Sequence, residues 1–192
     1  DFCLSRGLGD VYKRQVMTGS LGGAIWGNDA RNLIYGSTTG ASTLYGFAGN
    51  DTLVGGTGAD QLLGGDGADR MIAGSGGDRL YLFGEDVATG GKGADVFVLE
   101  AFAKPVARIT DYSANQGDVL DVSWLEDDLD AAGVTAIAYL GTDAFTGHAG
   151  EARTELHSGY GLFMFDLDGD KTADLTVRLD GLTSASAVAY VL

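Results

Sequence analysis

The chain has 192 residues, the length of one or two domains, and carries 27 acidic against 12 basic residues, for a net charge of −15. This acidic excess disfavours nucleic acids and anionic membrane surfaces as partners and favours cations. Glycine is frequent (32 residues), proline occurs once, and 45% of the residues are hydrophobic, which argues against collagen and against a disordered linker. The single Cys3 excludes an intrachain disulfide, and no apolar run is long enough to span a membrane.

The first 15 residues, DFCLSRGLGDVYKRQ, differ in pattern from everything that follows. They resemble translated sequencing-adapter read-through, so we predict that residues 1–15 are a non-native leader; the alternative is a short native linker. If they are an artefact, the natural N-terminal part of the protein is missing ahead of Val16. The start also lacks the apolar segment of a cleavable signal peptide.

Residues 46–72 consist of three consecutive nine-residue units, GFAGNDTLV, GGTGADQLL and GGDGADRMI. Each unit has glycine at its fourth place, aspartate at its sixth and a large apolar residue at its eighth. A fixed period of this kind is the signature of a stacked-repeat architecture. The fourth, sixth and eighth places hold Gly49, Gly58 and Gly67; Asp51, Asp60 and Asp69; and Leu53, Leu62 and Met71.

The repeat extends in both directions, with imperfections. Upstream, Asn32 and Ser42 replace aspartate at the sixth place. Downstream, residues 73–81 supply Gly76 and Asp78, a copy one residue short supplies Gly84 and Asp86, and residues 90–98 supply Gly93 and Asp95.

The composition of the repeat predicts both its conformation and its chemistry. Glycine excludes helices, and three-residue apolar runs are too short for ordinary strands, so they are expected to form rungs of a solenoid. Six turn residues and three strand residues make half a coil, with the eighth-place side chains pointing inward. Glycine permits the positive φ of tight turns and lets carbonyl oxygens point into one cavity. Short carboxylates and carbonyls in a flexible arrangement suit Ca²⁺ better than Mg²⁺.

The pattern resembles G-G-x-G-x-D-x-U-x, where U is a large apolar residue, the nonapeptide repeat of the RTX (haemolysin-type calcium-binding) proteins. This resemblance implies an all-β fold, with a right-handed parallel β-roll over residues 21–98. It implies several Ca²⁺ ions, each between two turns on the same side of the roll, with Asn32, Asp51, Asp69 and Asp86 on one side and Ser42, Asp60, Asp78 and Asp95 on the other.

The pairs expected to bind best are Asp51/Asp69, Asp60/Asp78 and Asp78/Asp95. Asn32 and Ser42 weaken the first coil, since each lacks the charge, and the deletion before Asp86 argues against an Asp69/Asp86 site. The predicted metal-site residues are Asn32, Asp51, Asp60, Asp69, Asp78, Asp86 and Asp95, with Gly49, Gly58, Gly67, Gly76 and Gly93.

After Val98 the pattern changes to that of antiparallel β-structure, with strands predicted at 106–110, 119–125, 135–140, 161–165 and 175–179, and an acidic helix or loop at 126–132. ITDY (109–112), GDVLDVS (117–123) and DLDGDKTADL (166–175) resemble the C-terminal domain of serralysin-type secreted metalloproteases. This resemblance implies an antiparallel β cap or sandwich over residues 99–192, with an uncleaved secretion signal within 175–192.

The remaining polar residues form no convincing centre. Asp166, Asp168, Asp170 and Asp174 fail the EF-hand pattern, because Gly169 falls at the wrong place and no glutamate closes the loop, so an acidic hairpin is favoured over a metal site. Asp111, Asp118 and Asp121 are further possible ligands, but we interpret them as turn and strand-edge residues. His148 and His157 do not form H-E-x-x-H, and G-x-S-x-G is absent, so no catalytic group is predicted.

The sequence therefore predicts a calcium-binding, non-catalytic C-terminal module of a larger secreted protein, expected from a Gram-negative bacterium. The resemblance implies export through a type I secretion apparatus, followed by Ca²⁺-induced folding outside the cell. Two alternatives differ in the missing upstream part. One is a fragment of a secreted enzyme (a serralysin-like zinc metalloprotease, a lipase or an epimerase), and the other is the tail of an RTX adhesin or toxin.

Overall fold

The structure, a computed structural model, describes residues 22–99, 107–125, 129, 134–185 and 188–191. The predicted leader and most of the predicted acidic segment 126–132 lie outside these residues. The described chain forms two β-sheets and a short 3₁₀ helix, Ser123–Leu125. Within these described ranges no helix is long and apolar enough to cross a membrane.

The repeats supply nine strands. They are β1 (Gly23–Trp26), β2 (Leu33–Tyr35), β3 (Ser42–Ala48), β4 (Thr52–Thr57), β5 (Gln61–Asp66), β6 (Arg70–Ser75), β7 (Arg79–Leu82), β8 (Val87–Lys92) and β9 (Val96–Leu99). The odd-numbered strands pair in parallel in one sheet, and the even-numbered strands pair in parallel in the other. Leu44 lies opposite Leu62, and Leu53 opposite Met71, so two nine-residue repeats complete one coil. The predicted parallel β-roll is confirmed.

The core of the roll is a ladder of eighth-place side chains between the two sheets. All of them are fully buried: Ile34, Leu44, Leu53, Leu62, Met71, Leu80 and Phe97. Alternation along each strand buries the eighth place and turns the seventh and ninth outward. Burying one such side chain contributes about 1.5–3 kcal/mol. Because the core is only one residue deep per rung, the ladder buries little apolar surface per rung, and its contribution to stability is correspondingly small.

The strands are longer than the sequence pattern predicts. β4, for example, includes the glycine pair Gly55–Gly56, so it has six residues instead of the predicted three. Gly56 pairs with Gly74, and Gly74 with Gly91, although all three have positive φ. Glycine tolerates this conformation, so the pairing extends into the turn.

The part after residue 98 adds seven strands to the same two sheets. They are β10 (Ala107–Ile109), β11 (Val119–Asp121), β12 (Ala138–Tyr139), β13 (Glu151–His157), β14 (Tyr160–Asp166), β15 (Leu175–Asp180) and β16 (Tyr190–Val191). In parallel pairings, β10 joins β8 to β15, and β11 joins β9 to β16. These strands cover the open edges of the last coil, which would otherwise be free to pair with another chain.

The predicted antiparallel C-terminal structure is present in β13, β14 and β15. The prediction was wrong for β10, β11, β12 and β16, whose pairings are parallel because they continue or flank the sheets of the roll. The strand predicted at 135–140 is shorter than expected, and β13 was not predicted, since its sequence EARTELH shows no clear alternation.

Candidate metal-binding rows

The sixth-place residues lie at the two edges of the roll, where the chain passes from one sheet to the other. The turns from the odd-numbered to the even-numbered sheet carry the first row, Asn32, Asp51, Asp69 and Asp86. The turns in the opposite direction carry the second row, Ser42, Asp60, Asp78 and Asp95. The structure therefore brings the predicted residues together in the two predicted sets.

Within each row, a hydrogen bond links every residue to the next coil. The backbone N–H of one sixth-place residue donates to Oδ1 of the aspartate two repeats later, at N–O distances of 2.6–2.9 Å. The first row contains the steps Asn32 to Asp51, Asp51 to Asp69 and Asp69 to Asp86. The second contains Ser42 to Asp60, Asp60 to Asp78 and Asp78 to Asp95. One carboxylate oxygen of each aspartate thus holds the coils in register.

The other carboxylate oxygen is buried without a hydrogen-bond partner in most of these aspartates. This is true of Oδ2 in Asp51, Asp60, Asp69, Asp78 and Asp95, whose residues are only 1–2% exposed. A buried carboxylate oxygen with no partner is costly, and a bound cation or a proton removes that cost. Five such oxygens in two rows indicate a repeated cation-binding arrangement.

The pKa values of these carboxyl groups show the same cost. Burial raises the pKa of Asp69, Asp78 and Asp95 to about 6, and it raises the pKa of Asp51 and Asp60 as well. Neighbouring aspartates of the same row contribute further, as Asp51 does for Asp69. The rows therefore favour either protons or a positive ion.

Glycines at the second and fourth places allow backbone oxygens to approach between successive turns. Gly67 has a φ of 143°, and a Cβ atom there would lie 1.9 Å from the carbonyl oxygen of Gly49 in the preceding coil. At the second place, Gly65 stands in the same relation to the carbonyl oxygen of Phe47. A side chain at either position would displace these oxygens, so the glycines keep carbonyl groups close to each row.

Glycine at the first place leaves room beside the free oxygen itself. A Cβ atom built on Gly46, Gly55, Gly64 or Gly90 would lie 2.3–2.6 Å from Oδ2 of the aspartate five residues later. These carboxylates are Asp51, Asp60, Asp69 and Asp95. The space beside each of these four free oxygens thus exists because the first residue of the repeat has no side chain.

Asn32 shows what the pocket of a sixth-place residue offers to a positive group. Its Nδ2 donates to the carbonyl oxygen of Asn28 at 2.8 Å and to that of Ala30. These residues precede Asn32 by four and two positions, which are the second and fourth places of the repeat. A hydrogen-bond donor at this position is therefore met by carbonyl oxygens, as a cation would be. Together with the free carboxylate oxygens, this all-oxygen donor set fits Ca²⁺.

Asp86 differs from the other aspartates. Its Oδ1 accepts the N–H of Asp69 as expected, but its Oδ2 accepts the N–H of Phe83 at 2.8 Å. The copy that contains Asp86 is one residue short, and this brings the backbone onto the second oxygen. Burial raises the pKa of Asp86 to about 7. The first row thus continues through Asp86 but has no free oxygen there.

The second row extends one step beyond the repeats, to Asp118. The N–H of Asp95 donates to Oδ1 of Asp118 at 3.1 Å, and the N–H of Ser113 donates to its Oδ2. Asp111 lies nearby and accepts the N–H groups of Gly90 and Gly91. Asp118 directly precedes β11, as a strand-edge residue does, and it also continues the hydrogen-bond pattern of the row. A signal was present, because Asp118 precedes the buried Leu120 by two residues, as Asp95 precedes Phe97.

Asp121, the third residue of that group, forms an ion pair with Arg79 and accepts a hydrogen bond from Ser123. Its role is structural, since the pair connects β7 to β11 across β9. Arg108 on β10 and Arg178 on β15, which lie opposite each other, both bind Asp180. These arginines are therefore engaged elsewhere and do not neutralise the two rows.

The acidic hairpin lies between β14 and β15. The oxygens of Asp166, Asp168 and Asp174 lie within 4.8 Å of one another. Both oxygens of the buried Asp166 accept backbone N–H groups, from Gly169 and Lys171. These hydrogen bonds account for Asp166 as the centre of a tight turn, as the sequence predicted.

The two histidines lie on β13 and in the loop before it. His157 stacks on Tyr160, and His148 is 84% exposed at its side chain and contacts Thr146. Neither belongs to a three-residue metal cluster in the portion of the chain that the structure describes.

Comparison with known proteins identifies the repeats. The family model of the RTX calcium-binding nonapeptide repeat matches four copies, at residues 45–80 and 82–101. These residues are RTX repeats, which bind Ca²⁺, and the prediction is confirmed for them. RTX-repeat proteins are generally secreted. The match does not extend beyond residue 101, so the serralysin-type module remains a prediction.

No curated protein matches the chain. Among solved structures, 32 chains match. One is the AlgE6R3 subunit from the Azotobacter vinelandii mannuronan C5-epimerase, with 23% sequence identity and a TM-score of 0.36, over 90% of this chain and 80% of that chain.

Proposed function

We propose that this chain is a non-catalytic calcium-binding module of a secreted protein, and that Ca²⁺ drives its folding. The observation that carries the proposal is the set of five buried carboxylate oxygens that have no hydrogen-bond partner. In a chain with a net charge of −15, these groups oppose folding until a cation offsets them.

The proposed ligands come from both rows. Asp51 and Asp69 serve the first row, and Asp60, Asp78 and Asp95 serve the second. Asn32 and Asp86 complete the first row, each without a free carboxylate oxygen. Asp118 and Asp111 lie at the end of the second row, but both oxygens of each accept backbone N–H groups, so these two residues are not proposed as ligands. The backbone at Gly49, Gly58, Gly67, Gly76 and Gly93 lets carbonyl oxygens approach each row.

The coupling between ion and fold follows from the two roles of each aspartate. One oxygen accepts the N–H of the preceding coil, so it contributes to the roll directly. The other is buried by the same packing and stays unpaired. Bound Ca²⁺ supplies the positive charge that makes this burial favourable, so its binding free energy becomes folding free energy. The thin core cannot supply that free energy alone.

The cellular context that we propose follows from this coupling. Extracellular Ca²⁺ modules bind at roughly 10⁻⁴–10⁻³ M, so such a chain stays unfolded in the cytosol and folds outside. This behaviour suits export from a Gram-negative bacterium through a type I secretion apparatus, with a signal within residues 175–192. We further propose the division into a roll (21–98) and a C-terminal β module (99–192), attached to an upstream catalytic or adhesive domain.

Circular dichroism of the full chain tests the calcium proposal. With chelator the far-UV spectrum should indicate coil, and several millimolar Ca²⁺ should convert it to β-structure. Mg²⁺ should act weakly, because it demands strict octahedral geometry and dehydrates reluctantly. An unchanged spectrum, or an equal response to both ions, would contradict the proposal.

Substitutions test the assignment of the ligands. Replacing Asp60 and Asp78 together by alanine should raise the Ca²⁺ midpoint far more than Asp166→Ala does. Both oxygens of Asp166 already accept backbone hydrogen bonds, whereas Asp60 and Asp78 each have one free oxygen. Equal effects would show that the ions bind elsewhere.

A further inference from the structure

The aspartates of the second row are not equivalent, and the difference lies at the first place of the repeat. Gly55 and Gly90 precede Asp60 and Asp95 by five residues, and the corresponding residue before Asp78 is Ala73. Ala73 lies on β6 between Gly55 on β4 and Gly90 on β8, because Gly56, Gly74 and Gly91 pair in register. Its side chain is fully buried.

By its place in the repeat, this methyl group corresponds to the space that lies beside the free carboxylate oxygen in the other copies of the second row. A Cβ atom on Gly55 would lie 2.6 Å from Oδ2 of Asp60, and one on Gly90 would lie 2.4 Å from Oδ2 of Asp95. Ala73 carries such an atom at the same place in the repeat. Oδ2 of Asp78 nevertheless remains buried without a hydrogen-bond partner.

We infer that Ala73 sets the affinity of the calcium position at Asp78, and that its methyl group makes this position weaker than those at Asp60 and Asp95. This inference rests on the proposed calcium function. Ala73 is not itself a ligand in this inference; it affects affinity through the space that it leaves beside Asp78. Mutation of the outer-shell partners of metal ligands typically costs about 10–100-fold in metal affinity, and we expect an effect of about tenfold, at the lower end of that range.

Ala73→Gly in the full chain tests the inference, because the expected sign is opposite to that of a merely structural change. Alanine to glycine in a buried strand destabilises the fold and, by itself, raises the Ca²⁺ midpoint. Removal of the methyl group beside Asp78 should instead lower the Ca²⁺ midpoint of the binding step at Asp78 about tenfold. The readouts are Ca²⁺ bound per chain, by equilibrium dialysis, and the far-UV midpoint.

Ala88→Gly is the matched control, since Ala88 is a fully buried alanine of the neighbouring strand that belongs to the apolar core. It should raise the midpoint. Gly64→Ala is the reverse test, because the three atoms nearest to a Cβ atom there all belong to Asp69, with Oδ2 at 2.3 Å. It should weaken binding.

The outcomes separate the two proposals. A chain that binds no Ca²⁺ in any variant overturns the proposed function. A chain that binds Ca²⁺ but responds to Ala73→Gly as it does to Ala88→Gly overturns only the role of Ala73.

Discussion

Replacing Asp69 by asparagine separates the two roles of a row aspartate. Oδ1 of Asp69 accepts the N–H of Asp51 at 2.7 Å, and an asparagine oxygen can accept the same bond. Oδ2 is free and buried, and an amide nitrogen in its place cannot bind a cation. The variant thus retains the link between coils and loses the ion ligand.

The magnitude for the ion-free chain follows from the pKa of Asp69, which burial raises from 3.8 to about 6. A folded-state pKa above the unfolded value means that stability is lost as the pH rises through this range. At pH 7.5 the whole cost is present, at most about 3 kcal/mol at about 1.4 kcal/mol per pH unit. Asparagine is neutral, so the ion-free variant should gain up to that amount.

The assay is far-UV circular dichroism at pH 7.5, with chelator and increasing sucrose to bring the ion-free chain into its folding transition, and then with increasing Ca²⁺. Asp69→Asn should fold at less sucrose than the parent chain but need more Ca²⁺. Asp143→Asn is the control, because Asp143 is exposed in the loop after β12 and its loss changes the net charge equally. If Asp69→Asn matches this control in both conditions, the free oxygen of Asp69 has no role in binding.

Three further predictions follow from the same geometry. The ion-free chain should gain β-structure when the pH falls from 7.5 to 5, because folded-state pKa values near 6 make protonation stabilising. The Ca²⁺ midpoint should rise over the same pH range. Ellipticity that is independent of pH would contradict this prediction. Phe47→Gly should raise the free energy of unfolding in saturating Ca²⁺, measured by urea titration, by about 1 kcal/mol, because Phe47 has a φ of 77° and is half-exposed. A loss of stability would mean that its ring packing matters more than its backbone strain. Gly67→Ala should prevent folding in Ca²⁺, since its Cβ atom would lie 1.9 Å from the carbonyl oxygen of Gly49. Gly159→Ala is the control, because Gly159 also has positive φ but lies in open space, so this variant should fold and lose about 1 kcal/mol of stability. Similar spectra for the two variants would show that contact with the neighbouring coil is unimportant.

The periodic part of the structure could be predicted because one nine-residue rule fixes both local and long-range contacts. Once glycine is assigned to the turns and the eighth place to the core, two repeats per coil place Asp51 next to Asp69 without further information. The same rule explains the limits of the prediction at Asp86. In the copy with the missing residue, the N–H of Phe83 donates to Oδ2 of Asp86. Residue spacing alone does not specify this backbone contact.

The extension of the second row to Asp118 was missed because it does not obey the period. Asp118 lies 23 residues after Asp95, whereas Asp95 lies 17 after Asp78. The chain between β9 and β11 passes through β10 before it returns to the row. Only the local pair of Asp118 and the buried Leu120 preserves the repeat, and a two-residue signal cannot be recognised without the sheet that positions it.

The change of sequence pattern after residue 98 therefore marks a change in turn chemistry within continuous sheets. The N–H of Arg108 donates to the carbonyl oxygen of Asp86, and the N–H of Val119 donates to that of Asp95, as repeat strands do throughout the roll. β10 and β11 thus occupy the positions of a further coil, although the turn between them has a single glycine, Gly117, in place of the glycine pattern of the repeat. Because Asp86 and Asp95, the last row aspartates within the repeats, bond to these strands, folding of the final coil depends on the segment that follows the repeats.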